Sequence, residues 1–325
     1  MRSQRFHTGL VATDYARYPA PPYLGKGWSL QLAPVSSTFP CEAFERSNGR
    51  RYRGREVTIS APNQRTAERV ASLIHGARLL LEGSNFSQLL RGESSSVYPS
   101  DGYSDLDEFL KKQYVWTPNV PFACLIAAKI SMRRPLVYAL AKLRLSYEIF
   151  SAPGMALNPS SSANVRKSHL PEEHVRLAYA IVLANACIEE LGLRVPAHPK
   201  KPSWINGDWN PEVRHEFDVT LKKSNVDLSE LFSWNVRGGK TKLEERRPPR
   251  IIGKAPWNRR SVRDGEMHIT DAIAYVGWLR SNVAAHTAKH PMLKVLSIYD
   301  VANSQFVARR LLMEKIGIWQ LWGSE

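Results

Sequence analysis

Apolar positions change their period along the chain. Trp28, Leu30 and Leu32 alternate with Ser29 and Gln31, the period-two pattern of a strand with one wet face, and Val57 and Ile59 within Glu56 to Ser60 repeat it. A basic, turn-rich stretch, Arg46 to Arg55, lies between them. From Asn63 the spacing turns helical: Val70, Ile74, Ala77 and Leu81 share a face, Asn63 after Pro62 suits an N-cap, and Gly83 suits a stop. Ser104 with Asp107 opens a further short helix, Asp105 to Tyr114, ended by Thr117-Pro118. Residues 1–118 thus read as a small α+β domain.

Beyond Pro121 the pattern is that of long helices. Phe122 to Met132 is apolar on most sides, Pro135 interrupts or restarts the helix, and Leu136, Leu140, Leu143 and Tyr147 make one stripe. Asn158 to Ala163 reads as a loop. Pro171 in a first turn, followed by Glu172 and Glu173 against the helix dipole, opens a helix through Leu177, Ile181, Ala184, Ile188 and Leu191 to Gly192. A polar stretch rich in Pro and Trp follows, with a short helix from Pro211 to Lys222. Residues 235–263 carry Gly238-Gly239, Pro248-Pro249 and Pro256 and read as loosely held. An amphipathic helix from Thr270 to His286 and another from Pro291 or Leu293 to Ile316 complete the pattern. The fold class expected is mainly α, with a smaller N-terminal α+β domain over 1–118 and a helical domain over 119–325.

Composition adds one fact that the pattern does not contain. With 43% hydrophobic and 23% charged residues the chain can bury a core, but 45 Lys and Arg against 30 Asp and Glu leave +15. Such a balance points to a polyanionic partner, because clustered cations gain affinity by releasing counterions from phosphates. The excess is uneven: residues 1–118 carry +4 and residues 119–325 carry +11. Residues 235–263 alone hold ten basic and two acidic residues, +8. Arg246, Arg247, Arg250, Lys254, Arg259, Arg260 and Arg263 are the candidate RNA contacts there, with Trp257 as a possible stacking partner. Cys41, Cys124 and Cys187 are too few and too widely spaced for a disulfide framework or a zinc site. Met1 to Tyr15 carry no apolar run of signal-peptide length and no stretch approaches the roughly 18 apolar residues of a membrane span, so a cytoplasmic protein is expected.

Several chemistries are excluded by their motifs. There is no H-E-x-x-H, C-x-x-C, G-x-S-x-G or G-x-G-x-x-G, and Gly239-Lys240-Thr241 lacks the glycine five positions earlier that a phosphate loop needs, with Trp234 in its place. What remains is Arg paired with His. A His gives and takes protons near neutral pH and a guanidinium grips phosphate, a pair suited to metal-free phosphodiester chemistry in which the RNA 2′-hydroxyl is the nucleophile. The spacing occurs at Arg2 with His7, Arg69 with His75, Arg263 with His268 and Arg280 with His286. Only Arg280-Ser-Asn-Val-Ala-Ala-His286 follows an apolar helical stripe (Ile273, Val276, Trp278) and has polar Ser281 and Asn282 directly after the Arg. Asn282 and His286 share a helix face, whereas Arg280 and His286 diverge by roughly 120°, so two copies of the helix meeting across a dimer would complete the site.

At residues 120–320 the chain resembles the HEPN superfamily of helical defence, toxin and RNA-processing proteins. Residues 177–193, LAYAIVLANACIEELGL, are similar to the family's inner helix with a Glu near its end; residues 278–290, WLRSNVAAHTAKH, to its R-x4-6-H helix; and residues 297–317 to its closing helix. The resemblance implies a helical bundle that dimerises with two motif helices facing one cleft, and metal-independent RNA cleavage leaving a 2′,3′-cyclic phosphate and a 5′-hydroxyl. It implies His286 as general acid or base, Arg280 as phosphate clamp, and Asn282 or Ser281 as orienting groups, with neither cofactor nor metal. Ala288 stands where members controlled by adenylylation have Tyr. The basic segment is an insertion that the resemblance does not cover.

The function expected is therefore a metal-independent endoribonuclease of a bacterial defence or toxin system, acting on tRNA, mRNA or phage RNA as a homodimer. The N-terminal domain would sense, or bind a regulatory or antitoxin protein. The alternative is a non-catalytic HEPN-like subunit that binds nucleic acid or protein in a larger complex. A third reading places function around Arg69 and His75.

Overall fold

The structure is a computed structural model, and it describes residues 3–13, 22–34, 44–45, 51–52, 54–82, 98–99, 115–116, 120–150, 171–205, 208–229, 231–235, 264–281, 296 and 298–322. The described residues are mostly helical with a smaller sheet, and they fall into two compact units that divide between Val137 and Tyr138.

The first unit is built on a six-stranded sheet. Strands β1 (Gln4–Thr13), β2 (Tyr23–Gly25), β3 (Trp28–Pro34), β6 (Gly54–Ala61), β7 (Tyr98–Pro99) and β8 (Val115–Trp116) compose it, in the order β2-β3-β6-β1-β7, with β8 parallel to β1 and the other pairs antiparallel. β4 (Phe44–Glu45) and β5 (Arg51–Tyr52) pair separately. The alternation at Trp28, Leu30, Val57 and Ile59 is realised: all four are buried, Leu30, Val57 and Ile59 completely. Strand β1, which the sequence pattern did not flag, pairs with β6 through a register shift between His7 and Val11. Thr8 lies beside this irregularity, donates from Oγ1 to Val57 O at 2.8 Å and accepts from Leu10 N, so its hydroxyl stands in for regular pairing.

Helix α1 (Gln64–Glu82) starts at the expected cap: Asn63 Oδ1 accepts from Thr66 N and Thr66 Oγ1, both at 2.9 Å. Helix α2 (Val120–Ser131) packs on α1, β1 and β2. The boundary expected near Pro118 falls before this helix, yet α2 lies within the sheet unit. Nine of its twelve residues are buried. A helix apolar on nearly every side needs partners on nearly every side, and the sheet and α1 supply them. The helix expected over 105–114 lies outside the described residues.

The second unit is helical. It contains α3 (Arg134–Ile149) from Tyr138 onward, α4 (Pro171–Glu190), α5 (Pro211–Lys223), α6 (Ile269–Leu279), α7 (Ile298–Lys315) and α8 (Trp319–Trp322). Pro135 does restart a helix, within the first turn of α3, where its missing N–H costs nothing. The stripe Leu136, Leu140, Leu143 and Tyr147 is buried as expected. α4 runs from Pro171 and stops where Gly192 takes φ +75°, with Leu193 N bonded to Ile188 O and Gly192 N to Glu189 O. Two short hairpins, β9 (Trp204–Ile205) with β10 (Asp208–Trp209) and β11 (Leu231–Asn235) with β12 (Asp264–His268), were not expected.

α7 is the central helix. Fifteen of its eighteen residues are buried, and among them are Asp300, Asn303, Ser304, Gln305, Arg309, Arg310 and Glu314. α4 and α6 pack on α7 and on each other. Gln305 Nε2 donates to Ser146 Oγ at 3.0 Å and to Phe150 O at 2.6 Å, while Ser146 Oγ donates to Ala180 O at 2.7 Å. One amide and one hydroxyl thereby tie α7 to α3 and α3 to α4. Ser146→Ala should lower the stability of the full chain by about 1–3 kcal/mol, because it leaves two buried partners one bond short. Urea unfolding followed by far-UV circular dichroism measures this, and an unchanged midpoint would show that the linkage carries no stability.

Candidate functional site

Of the residues singled out by the Arg and His spacing, Arg280 and Ser281 directly follow α6, so the site is built from that helix. β12 runs directly into it. His268 occupies the N-cap with extended backbone (φ −63°, ψ 147°) and makes no side-chain cap bond. Two other contacts hold this end instead. Thr270 Oγ1 donates to Asp218 Oδ1 of α5 at 2.8 Å, and the indole Nε1 of Trp209 donates to Asp271 Oδ1 at 2.6 Å. Asp271 is 7% exposed. Burial pushes its carboxyl above the usual aspartate range, against the opposing pull of the Trp209 bond, Arg214 and His268.

The body of α6 corrects the amphipathic expectation. Every residue from Ile269 to Val276 is buried, so the helix is a core element rather than a half-wet one. Periodicity could not show this, because Ala272 and Ala274 are neutral in any stripe and Asp271 and Thr270 find buried partners. Gly277 faces α4, where a Cβ on it would stand 3.8 Å from Asn185 Oδ1. The two helices therefore cross one turn before Arg280.

The far end of α6 is open. Leu279 is the last α-helical residue, and Arg280 and Ser281 continue in a wider π-type turn. Arg280 keeps helical backbone (φ −57°, ψ −47°), and its N–H is shared between Val276 O and Gly277 O. Both Arg280 and Ser281 are exposed. Asn282 and His286, expected on the same helix, lie outside the described residues, as do Arg246, Arg247, Arg250, Lys254, Arg259, Arg260 and Arg263. The structure thus brings Arg280 and Ser281 together on one exposed turn. It fixes the ends of the basic segment too: Asn235 and Asp264 are paired across β11 and β12, so the chain leaves and returns at one point of a hairpin.

The competing Arg69 and His75 pair is divided. Both lie on α1, but Arg69 is exposed and His75 is 8% exposed, in a stretch buried at every residue from Ile74 to Leu81. The Glu near the end of the inner helix has a partner of its own: Glu190 pairs with Lys142 of α3, which also reaches Ala186 O at 3.4 Å. Thiolate chemistry is disfavoured at both described cysteines. Cys124 and Cys187 are buried and unpaired, and burial raises the thiol of Cys124 steeply and pushes that of Cys187 up to about 12. Among the described residues no group of three His, Cys, Asp or Glu could hold a metal ion, and no helix is long and apolar enough to cross a membrane.

Sequence reasoning missed Asp271 and Trp209. A legible signal existed for the second: Trp204-Ile-Asn-Gly-Asp-Trp209 places Asn-Gly between two strand formers, the strongest short-range hairpin pattern. For Asp271 there was none, since an Asp in a first turn is ordinarily a solvated dipole partner.

Comparison of the chain with family models, with curated proteins and with solved structures finds no match.

The buried carboxyl sets a pH dependence. A carboxyl whose protonation is favoured on folding stabilises the folded chain while it is protonated, and that contribution is lost as pH rises through its raised folded-state value. Asp271→Asn keeps an acceptor for Trp209 Nε1 and removes the titration. Its thermal midpoint should equal that of the parent below the ordinary aspartate range and exceed it at neutral pH. Calorimetry across that range checks the sign, and a variant less stable at neutral pH would show that the Trp209 bond outweighs burial.

Proposed function

We propose that this chain is a metal-independent endoribonuclease of the HEPN type that works as a homodimer, with Arg280 and His286 as its catalytic pair. The observation that carries the reading is the exposed Arg280–Ser281 turn at the end of an otherwise buried helix. A guanidinium held in solvent by a rigid core helix is placed to meet a phosphate without prior rearrangement. The mainly helical second unit supports the reading as well, since α4 and α7 carry most of two of the stretches that resemble the family and the third begins at the end of α6.

In this mechanism Arg280 binds the scissile phosphate and stabilises the charge that develops on its non-bridging oxygens. His286 accepts the proton of the 2′-hydroxyl or donates one to the leaving 5′-oxygen, and a second copy of the site supplies the complementary role. Ser281 and Asn282 orient the phosphate or the imidazole. The basic residues Arg246, Arg247, Arg250, Lys254, Arg259, Arg260 and Arg263 add phosphate contacts that retain RNA near the cleft. The first unit senses a trigger or binds a regulatory protein, the system is one of bacterial defence or toxicity, and the site of action is the cytoplasm.

Purified full-length chain incubated with tRNA and total RNA in EDTA should yield fragments with 2′,3′-cyclic phosphate and 5′-hydroxyl ends. His286→Ala should slow cleavage by about 10²-fold or more. Intact RNA, or equal cutting by His286→Ala, would sink the catalytic reading. Retained RNA binding without cutting would point instead to the non-catalytic subunit.

A further inference from the structure

The stretch between α4 and α5, Arg194 to Asn210, enters the site above only through Trp209, yet its described residues are held in detail. Lys201 N donates to His198 O at 3.3 Å, closing a turn that places Pro199 and Lys200 at its tip. Two pairs fasten that turn to α5: His198 Nε2 with Glu216 Oε2 at 2.9 Å, and Lys201 with Glu212. The chain then forms the hairpin of β9 and β10. Asn210 N donates to Ser203 O at 2.9 Å and Asn210 Nδ2 to Pro202 O at 3.1 Å, closing the hairpin's base.

Three aromatic rings lead outward through this hairpin. Phe217 is fully buried; Trp209 lies 6.4 Å from it and spends its indole N–H on Asp271; Trp204 lies 4.1 Å from Trp209 with its plane tilted by 43°. Trp204 is the outermost ring, only partly buried, and Ile205 beside it is 46% exposed. The tilt means that Trp209 does not cover Trp204 as in a parallel stack. The hairpin therefore leaves part of the Trp204 ring open to solvent.

The surrounding charge indicates what the ring meets. Arg194 and Lys200 are exposed, and among the described residues neither makes an ion pair, whereas His198 and Lys201 are matched by acids. Lys200 is four residues from Trp204, at most about 14 Å along an extended chain. Unmatched cations on the same connecting segment as a part-exposed indole are a combination that can hold a nucleobase by its face and its phosphates by charge.

We propose that Trp204, with Arg194 and Lys200, is a docking surface for an unpaired nucleic-acid strand, one base stacking on the indole and adjacent phosphates lying over the two cations. This rests on the RNA-cleaving reading for its purpose. The location suits it: Trp209 bonds Asp271 at the start of α6, and Arg280 lies nine residues further on, about 14 Å along the axis. A stacked strand at about 3.4 Å per nucleotide crosses that distance in about four nucleotides. Trp204 would then select substrates with an unpaired base a few nucleotides from the scissile phosphate.

The test is fluorescence anisotropy of the full chain with a labelled single-stranded oligodeoxynucleotide of about twelve residues, which lacks the 2′-hydroxyl and is not cut. Trp204→Ala should weaken binding by about five-fold or more, and Trp204→Tyr should restore most of it. The exposed pair Arg194→Glu with Lys200→Glu should weaken binding and lower the slope of log affinity against log salt by about 1.4. If the parent does not bind, or if Trp204→Ala and the charge-reversed pair both stay within about two-fold of it, the docking surface is overturned. RNA cutting that survives such a result leaves the catalytic reading standing. Binding lost in Trp204→Ala, with no RNA cut by the parent, would support the surface and remove the catalytic reading.

Discussion

The helical unit depends on satisfying the polar side chains of α7. A helix buried over fifteen of eighteen residues and carrying seven polar ones cannot be accommodated by apolar packing, since each unmet donor or acceptor would cost about 1–3 kcal/mol. The helix meets much of this demand, although Glu314 Oε2 is buried without a hydrogen-bond partner among the described residues. Ser304 turns its hydroxyl back to Asp300 O at 2.7 Å, Gln305 reaches Ser146 and Phe150 O, and Arg310 places Nε and Nη2 on Glu314 Oε1 at 3.0 and 2.9 Å. The Arg310 guanidinium also lies 4.7 Å from the centre of the Trp319 ring, which brings α8 onto the end of α7. Burial raises the Glu314 carboxyl despite its guanidinium partner, so the pair fixes geometry more than it adds stability.

That constraint determines where α6 can lie. Because α3 and α4 are tied through Ser146 to a single register against α7, α4 presents Asn185 to Gly277 at one place only, and α6 is then fixed near its C-terminal end. Its other end is fixed by side chains of α5 and the β10 strand, through Asp218 and Trp209. A helix held at both ends and buried between them can expose function only beyond its last turn. Arg280 and Ser281 occupy that position, and the π-type turn widens the helix where the core releases it.

Elements whose apolar period agreed with their burial were legible in the sequence. The buried faces of β3, β6, α1 and α3 appear in the spacing of Leu30, Ile59, Ile74 and Leu140, and the caps at Asn63 and Gly192 lie where local chemistry puts them. What escaped was set by tertiary partners. β1 reads as polar because Gln4, Arg5, His7 and Thr8 dominate it, yet Phe6 and Leu10 on its inner face are 1% and 2% exposed. α2 belongs with the sheet because all-round apolar surface cannot choose its partner from pattern alone. Of the site, the spacing found the exposed Arg280 and Ser281, but it could not find the buried Asp271, whose role depends on a Trp 62 residues away.

Charge tells a different story from packing in this chain. The +15 excess contributes nothing to a core, and in the described helical unit the buried cations Arg309 and Arg310 lie among polar groups of that core. Cations outside the core divide into two kinds. Lys142, Arg144 and Lys201 face carboxylates and are thereby held, while Arg194, Lys200 and Arg280 stand in solvent without an ion pair among the described residues. Surface pairs return less than about 1 kcal/mol, so leaving a cation unmatched costs the fold little. It does leave that cation's field open to solvent at three places: Arg194 after the end of α4, Lys200 at the tip of the His198–Lys201 turn, and Arg280 beyond the end of α6. The net charge of the sequence becomes a property of the fold only where turns and helix ends, such as the His198–Lys201 turn and the end of α6, carry such cations.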